Sequence, residues 1–145
     1  MRAIVQRVSG AEVTVEGQVV GRCGVGLLVL VAAHREDVEA NAQKLADRIK
    51  GLRIFNDAEG KMNLALADVD GSVLAVSNFT VYGETSKNRR PSFVESAPYA
   101  DGERLFESFV TALRATGIQV ATGVFGAHMD VSLVNDGPVT VIVDG

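Results

Sequence analysis

The run VSLVNDGPVTVIV, residues 131 to 143, sets two β-rich stretches on either side of Asn135-Asp136-Gly137-Pro138. Asn-Asp-Gly between alternating apolar residues reads as a hairpin turn. Pro138 fits that turn poorly, because it has no N–H to give the returning strand where pairing should begin. The local pattern therefore predicts two strands joined by a turn whose proline has a task beyond turning.

The rest of the chain reads as a mixture in which strands outnumber helices. RAIVQRVSGAEVTV (2 to 15) is β-rich, EGQ turns it, and VVGRCGVGLLVLVAA supplies two more strand candidates around Gly24 and Gly26. With Asp37 as N-cap, Val38, Ala42, Leu45, Ile49 and Leu52 recur at helical spacing and end near Gly51. LRIF followed by NDAEG reads as a strand into a turn, and SVLAVSNF (72 to 79) as a central strand, apolar on both faces. Beyond Pro98, Leu105, Phe106, Phe109, Val110 and Leu113 mark a second amphipathic helix, stopped by Gly117. IQVATGVF, MDVSLV and VTVIVD complete the strand candidates. The expected fold is α+β: two antiparallel-rich β-sheets, barrel-like, with two amphipathic helices packed on one side as a ββα layered sandwich.

At 145 residues and 47% apolar, the chain has the size and core of one domain, expected to span 1–145. The longest apolar run, residues 25 to 33, is too short to cross a bilayer, and MRAIVQRVSG alternates where a signal peptide would be apolar. A cytoplasmic protein with no membrane partner is expected. Cys23 is the only cysteine and the histidines are only His34 and His128, so no metal site and no cofactor is expected. A net charge of -4 argues against non-specific coating of nucleic acid, while leaving room for one local basic contact.

Conventional catalytic motifs are missing: no G-x-S-x-G, Walker loop, H-E-x-x-H or C-x-x-C occurs, and GVG at 24 to 26 reads as a turn. His34 reads as a solvent-facing loop residue and His128 as half-exposed. SNFTVYGETSKNRRPSF (77 to 93) is more informative. Ser77, Asn78 and Thr80 gather polar groups at the end of a buried strand, where they either form a site or satisfy local backbone. KNRR then concentrates Lys87, Arg89 and Arg90, a solvated face or a phosphate contact. Pro91 and Phe93 read as a rigid loop with one anchored aromatic. KMN (61 to 63) and FGAHM (125 to 129) are ambiguous by themselves.

Together, and in this order, MRAIVQRVS, GLLVLV, LRIFND, GKMN, SNFTVYGE, RRPSF, FGAHM and NDGPVT resemble the D-aminoacyl-tRNA deacylases of the bacterial and eukaryotic type. The resemblance covers essentially the whole chain. It implies hydrolysis of the ester between a D-amino acid and the terminal ribose of tRNA, removal of mischarged glycine, and a homodimer with active sites at the subunit interface. The family's Ser-Gln-Phe-Thr segment matches Ser77, Asn78, Phe79 and Thr80, with Asn78 departing from the usual Gln by one methylene. Its Asn-x-Gly-Pro-x-Thr segment matches Asn135 to Thr140.

By that resemblance Gly137-Pro138 is a cis peptide that reaches into the partner subunit's pocket and excludes L side chains with main chain, Arg7 orients that loop, Phe125 lies near the terminal adenine, and Met129 covers part of the pocket. Glycine, with no side chain to exclude, should pass. An aminoacyl ester beside a protonated amine is already activated, so positioning and an oxyanion hole at the N–H groups around Phe79 and Thr80 are expected to suffice, and the resemblance implies that the ribose 2′-hydroxyl handles the proton. Thr80 reads as an orienting residue, since no base for a threonine nucleophile is evident in the sequence. Lys87, Arg89 and Arg90 are the expected contacts to the aminoacylated tRNA 3′ end. Two alternatives stand beside this reading: a same-fold deacylase with a trans Gly-Pro that clears L-alanine, and a non-catalytic tRNA-binding dimer.

Overall fold

Strand β1 (Arg2–Val15) is long enough, at 14 residues, to need several neighbours. The computed structural model, which describes residues 1–145, gives it three. On one edge it pairs antiparallel first with β3 (Gly26–Ala32), along Arg2 to Val8, and then with β2 (Gln18–Cys23), along Ala11 to Val15. On the other edge it pairs antiparallel with β8 (Asp130–Asp144) from Arg2 to Thr14.

Beyond β3 the sheet continues in parallel through β6 (Ser72–Ser77) to β7 (Val120–Thr122). Parallel neighbours need a crossover, and here each crossover carries a helix. α1 (Glu39–Lys50) lies between β3 and β6, and α2 (Tyr99–Arg114) between β6 and β7. A small second sheet, β4 (Phe55–Asn56) with β5 (Met62–Leu64), completes the strands. Short 3-10 turns occupy Leu66–Val69 and Phe79–Tyr82.

Residue alternation sorts the core into two parts. Ala3, Val5, Leu27, Val29, Val31, Val73 and Ala75 face both helices, where they meet Leu45, Ile49, Leu105, Phe109 and Leu113. The intervening residues, Val8, Val13, Leu28, Leu74 and Val76 among them, form a second cluster on the concave face. Burial on both faces explains the unbroken apolar runs of β3 and β6. The sheet curls until β2 meets β7: a Cβ on Gly21 would lie 2.3 Å from the Thr122 carbonyl oxygen. That contact makes the larger sheet nearly a closed barrel, with both helices on one side, as the sequence suggests.

Two local expectations change. The Asn135–Pro138 break is no hairpin: β8 runs through it in one direction, and Asn135 pairs with Val8 while Thr140 pairs with Gln6. Arg7 alone therefore stands opposite residues 136 to 139, so the break is a bulge in one strand. Local turn chemistry cannot register that both halves share one partner edge. Asp37 does not cap α1. Its carboxylate accepts the His34 N–H at 2.6 Å and pairs with the Met1 ammonium at 2.6 Å, and the cap position falls to Val38, whose N–H donates to Asn41 Oδ1 at 2.8 Å. Val38 accordingly stays exposed.

Gly21 and Gly24 test the closure. Gly21→Ala is expected to cost roughly 1–3 kcal/mol, the range for overpacking. Gly24→Ala, where a Cβ meets nothing within 4 Å, is expected to stay within about 0.5 kcal/mol of the parent. Chemical denaturation measures both, and equal stability of the two variants would count against a sealed β2–β7 seam.

Candidate active site

The end of β6 passes directly into a polar turn. Asn78 N–H donates to the Val31 carbonyl at 2.8 Å, extending the β3–β6 ladder by one step. The chain then enters the 3-10 turn with Asn78 as its cap. Asn78 Oδ1 accepts the Thr80 N–H at 3.2 Å and also the Thr80 hydroxyl. A short amide suits this position because it folds back onto its own turn. Thr80 thus donates its proton to an amide oxygen, which is no general base, and keeps its lone pairs free to accept. The Phe79 N–H opens the turn and has no intrahelical acceptor.

This segment borders a cavity of about 870 Å³. Ser77, Asn78, Phe79 and Thr80 line one side, and Phe125 and Met129 line another. Much of the remainder is aliphatic wall from β3, β6 and β8, and no Lys, Arg, Asp or Glu side chain lines it. The volume lies within the range of small-ligand pockets, about 300–1,000 Å³. Phe125 is held edge-on by Tyr99 at 5.0 Å between ring centroids, and meets the tilted ring of Phe106 at 6.1 Å. Tyr99 escapes sequence reading because it is an exposed residue opening a helix, with no spacing signal to mark it.

The basic segment is anchored to the same turn. Phe93 packs edge-on against Phe79 at 5.2 Å, and Ser96 Oγ donates to the Phe79 carbonyl at 2.9 Å. His34, expected to face solvent freely, is instead partly buried and bonded through Nε2 to Glu95 at 2.8 Å, its ring edge-on to Tyr82. Lys87, Arg89 and Arg90 are exposed on the loop so held, and none of them lines the cavity.

Arg7, Gly137 and Pro138 form a second cluster that does not line this cavity. Arg7 is 6% exposed and is the one buried charged residue. Its Nε donates to the Asp136 carbonyl at 2.9 Å, and Nη1 donates to the Ile54 carbonyl at 2.8 Å and to Asn56 Oδ1 at 3.3 Å. The Asp136 carboxylate lies 3.4 Å from Nε. Asn135 ties the neck of the bulge by accepting the Val139 N–H at 2.9 Å and donating to Thr140 Oγ1 at 3.0 Å. The Gly137-Pro138 bond is cis. Gly137 has φ +137°, and a Cβ there would lie 2.8 Å from Val139 Cγ2 and 3.1 Å from Arg7 Nη2.

Residues 4–144 match the family model described as D-Tyr-tRNA(Tyr) deacylase. The D-aminoacyl-tRNA deacylase of Thermotoga petrophila is 54% identical over 144 residues, covering 99% of this chain and 97% of the relative. That of Pelobacter propionicus is 56% identical over 144 residues, covering 99% of each. Among solved structures, the c-Myc DNA Unwinding Element Binding Protein superposes with a TM-score of 0.94 at 35% identity, covering 100% of this chain and 99% of the other. A probable eukaryotic D-amino acid tRNA deacylase superposes with a TM-score of 0.84 at 18% identity, covering 99% and 98%, and shares the fold.

Tyr82, at the far end of the 3-10 turn, has a phenol pushed up to about 12, first by burial and then by the negative charges of Asp37 and Asp144, against the lowering effect of Arg2. The Arg2 guanidinium lies 5.3 Å from the ring centroid. In the unfolded chain the phenol ionises near about 10. The unfolded state therefore loses its proton first, and stability intact below about 10 falls as pH rises toward the folded value. Phenolate absorbance should show one tyrosine ionising near 12, and Tyr82→Phe should remove that step. A titration with no such late step would contradict this packing.

Proposed function

The chain belongs to the D-aminoacyl-tRNA deacylase family, and on that premise we propose that it hydrolyses the ester joining a D-amino acid, or mischarged glycine, to the terminal ribose of tRNA, releasing free amino acid and tRNA. The observation that carries this reading is the Ser77–Thr80 turn opening onto an apolar cavity bordered by Phe125 and Met129.

In the proposed reaction the terminal adenosine lies toward Phe125 and Met129, and the ester carbonyl lies at the turn. Water adds to that carbonyl and the oxyanion takes the Phe79 N–H. Collapse breaks the acyl–oxygen bond, the ribose oxygen leaves with a proton relayed by the neighbouring 2′-hydroxyl, and the acid departs as carboxylate. Losing one such donor typically costs about a hundred- to a thousandfold in rate. Thr80 orients: its proton is committed to Asn78, and its lone pairs can accept from substrate. Ser77 borders the same space. A nucleophilic Thr80 would need a base, and an amide oxygen is its hydrogen-bond acceptor.

The proposed active unit is a homodimer. Gly137 and Pro138 are exposed and line no part of their own chain's cavity, which suits a loop delivered to a partner subunit's pocket. β8, which carries the loop, pairs only with β1, and exposes Val134 at 63% and Ile142 at 68% along its length. There Gly137 and Pro138 would meet an L side chain with main chain, giving selectivity by exclusion. Arg7 would hold the loop in place through the Asp136 carbonyl.

Hydrolysis of D-Tyr-tRNA, L-Tyr-tRNA and L-Ala-tRNA tests the activity and its chirality. Rapid loss of the D-ester with both L-esters spared is expected. Preference for L-alanine, or tRNA binding without cleavage, would replace this reading with one of its rivals. Thr80→Ala should retain measurable turnover, and an acyl-Thr80 adduct trapped from the parent enzyme would overturn the orienting role. Lys87, Arg89 and Arg90 are proposed to touch the acceptor end. Neutralising all three should flatten the salt dependence of log KM by about two units of slope, at about 0.7 per single-strand phosphate contact. An unchanged slope would remove them from the interface.

A further inference from the structure

The deacylase reading leaves one chemical demand unmet. A nucleoside at the end of an RNA chain carries a phosphodiester on its 5′ side, and the cavity proposed for that nucleoside has no Lys, Arg, Asp or Glu side chain in its wall. Gln6 and Asn78 bring neutral amide N–H donors to the lining, and His128 is the lining residue whose side chain can meet an anion as a cation. Its side chain is 96% exposed, which sets the imidazole at the rim.

The rim beside it is fixed. Gly126 turns with φ +76°, and a Cβ there would lie 2.4 Å from Tyr99 Oη, so the turn sits directly on that tyrosine. The Ala127 N–H closes the turn on the Val124 carbonyl at 3.2 Å. On the other side, Met129 Sδ lies 2.5 Å from where a Gly123 Cβ would be. The main chain of His128 is thereby placed on the short segment between Phe125 and Met129, the two residues that border the proposed adenosine subsite, while its side chain extends into solvent. Its own nearest ionic neighbour is Asp130, whose carboxylate is 3.9 Å from Nε2 and 84% exposed, too loose and too solvated to fix the ring.

We infer that His128 is a phosphate-binding residue, which takes the phosphodiester on the 5′ side of the terminal nucleoside at the mouth of the cavity. This rests on the deacylase reading above. Lys87, Arg89 and Arg90 lie on a different loop and do not line the cavity, so they would serve more distant phosphates. His128 touches no reacting atom in this arrangement and fixes only how far the terminal nucleotide enters.

Two small substrates separate the claims: a 3′-D-tyrosyl adenosine and the same ester carrying a 5′-phosphate. The parent enzyme should hydrolyse both and favour the phosphorylated one in kcat/KM by about two- to fivefold, the scale of one exposed charge pair. His128→Ala should bring that ratio to about one through KM, and His128→Arg should restore it. High salt should compress the parent's ratio as well. A parent enzyme that favours neither substrate, or a ratio that His128→Ala leaves unchanged, would overturn the inference while leaving the deacylase reading intact. Failure to hydrolyse either ester, with D-Tyr-tRNA also spared, would overturn the deacylase reading itself.

Discussion

A guanidinium placed inside a small protein must find acceptors for its donors, or the cost of removing it from water destabilises the fold. Arg7 finds them in the main-chain carbonyls of Asp136 and Ile54 and in Asn56 Oδ1, with the Asp136 carboxylate 3.4 Å from Nε. Those acceptors belong to β8 and to the β4 region, so one side chain from β1 joins three parts of the chain. The bulge in β8 follows from the same requirement. With four residues opposite one, the strand leaves the sheet line far enough for the Asp136 carbonyl to reach Nε at 2.9 Å. Gly137 is needed there because a Cβ would meet Val139 and Arg7.

The cavity arises from a separate feature, the curl of the sheet under its helices. α2 contributes Tyr99, Gly102 and Phe106, and the concave face of β3 and β6 contributes Leu28 and Val76. Walls of this kind hold few polar groups, so the ones present carry more weight. Hydrogen bonds strengthen as the local dielectric falls. The main-chain N–H of Phe79, a residue that borders this apolar cavity, is the group proposed to stand in for a charged catalytic residue, and it suits a site built from amides, hydroxyls and main chain.

Much of this architecture is legible in the sequence because its signals are local and mutually consistent. The helical spacing of Leu105, Phe106, Phe109, Val110 and Leu113 predicts the face of α2 that is buried. The apolar residues of SVLAVSNF, which fill both faces, predict a buried central strand, and β6 lies between β3 and β7. What fails is whatever depends on distant partners. Asp37 reads as a helix cap but turns to the Met1 ammonium, and His34 reads as free but is bonded to Glu95. Asn-Asp-Gly-Pro reads as a hairpin because nothing local reveals that both flanking runs pair with β1. Tyr99, which seats Phe125, has no periodic or motif signal at all.

The Asn135 bulge shows why a loop can serve where a side chain would not. Selectivity by exclusion lasts only as long as the wall stays put, since a wall that yields by an ångström admits what it should reject. A free hairpin tip would yield. Here the neck is tied by Asn135 to Thr140 and to the Val139 N–H, Gln6 Nε2 lies 3.4 Å from Thr140 Oγ1, and Arg7 grips the Asp136 carbonyl. Both flanks remain paired with β1. The excursion is short, and every hydrogen bond that shapes it comes from residues held in the sheet. For a wall of main chain proposed to discriminate by shape alone, stiffness of this origin is the property that matters, and it is supplied from the core outward through Arg7.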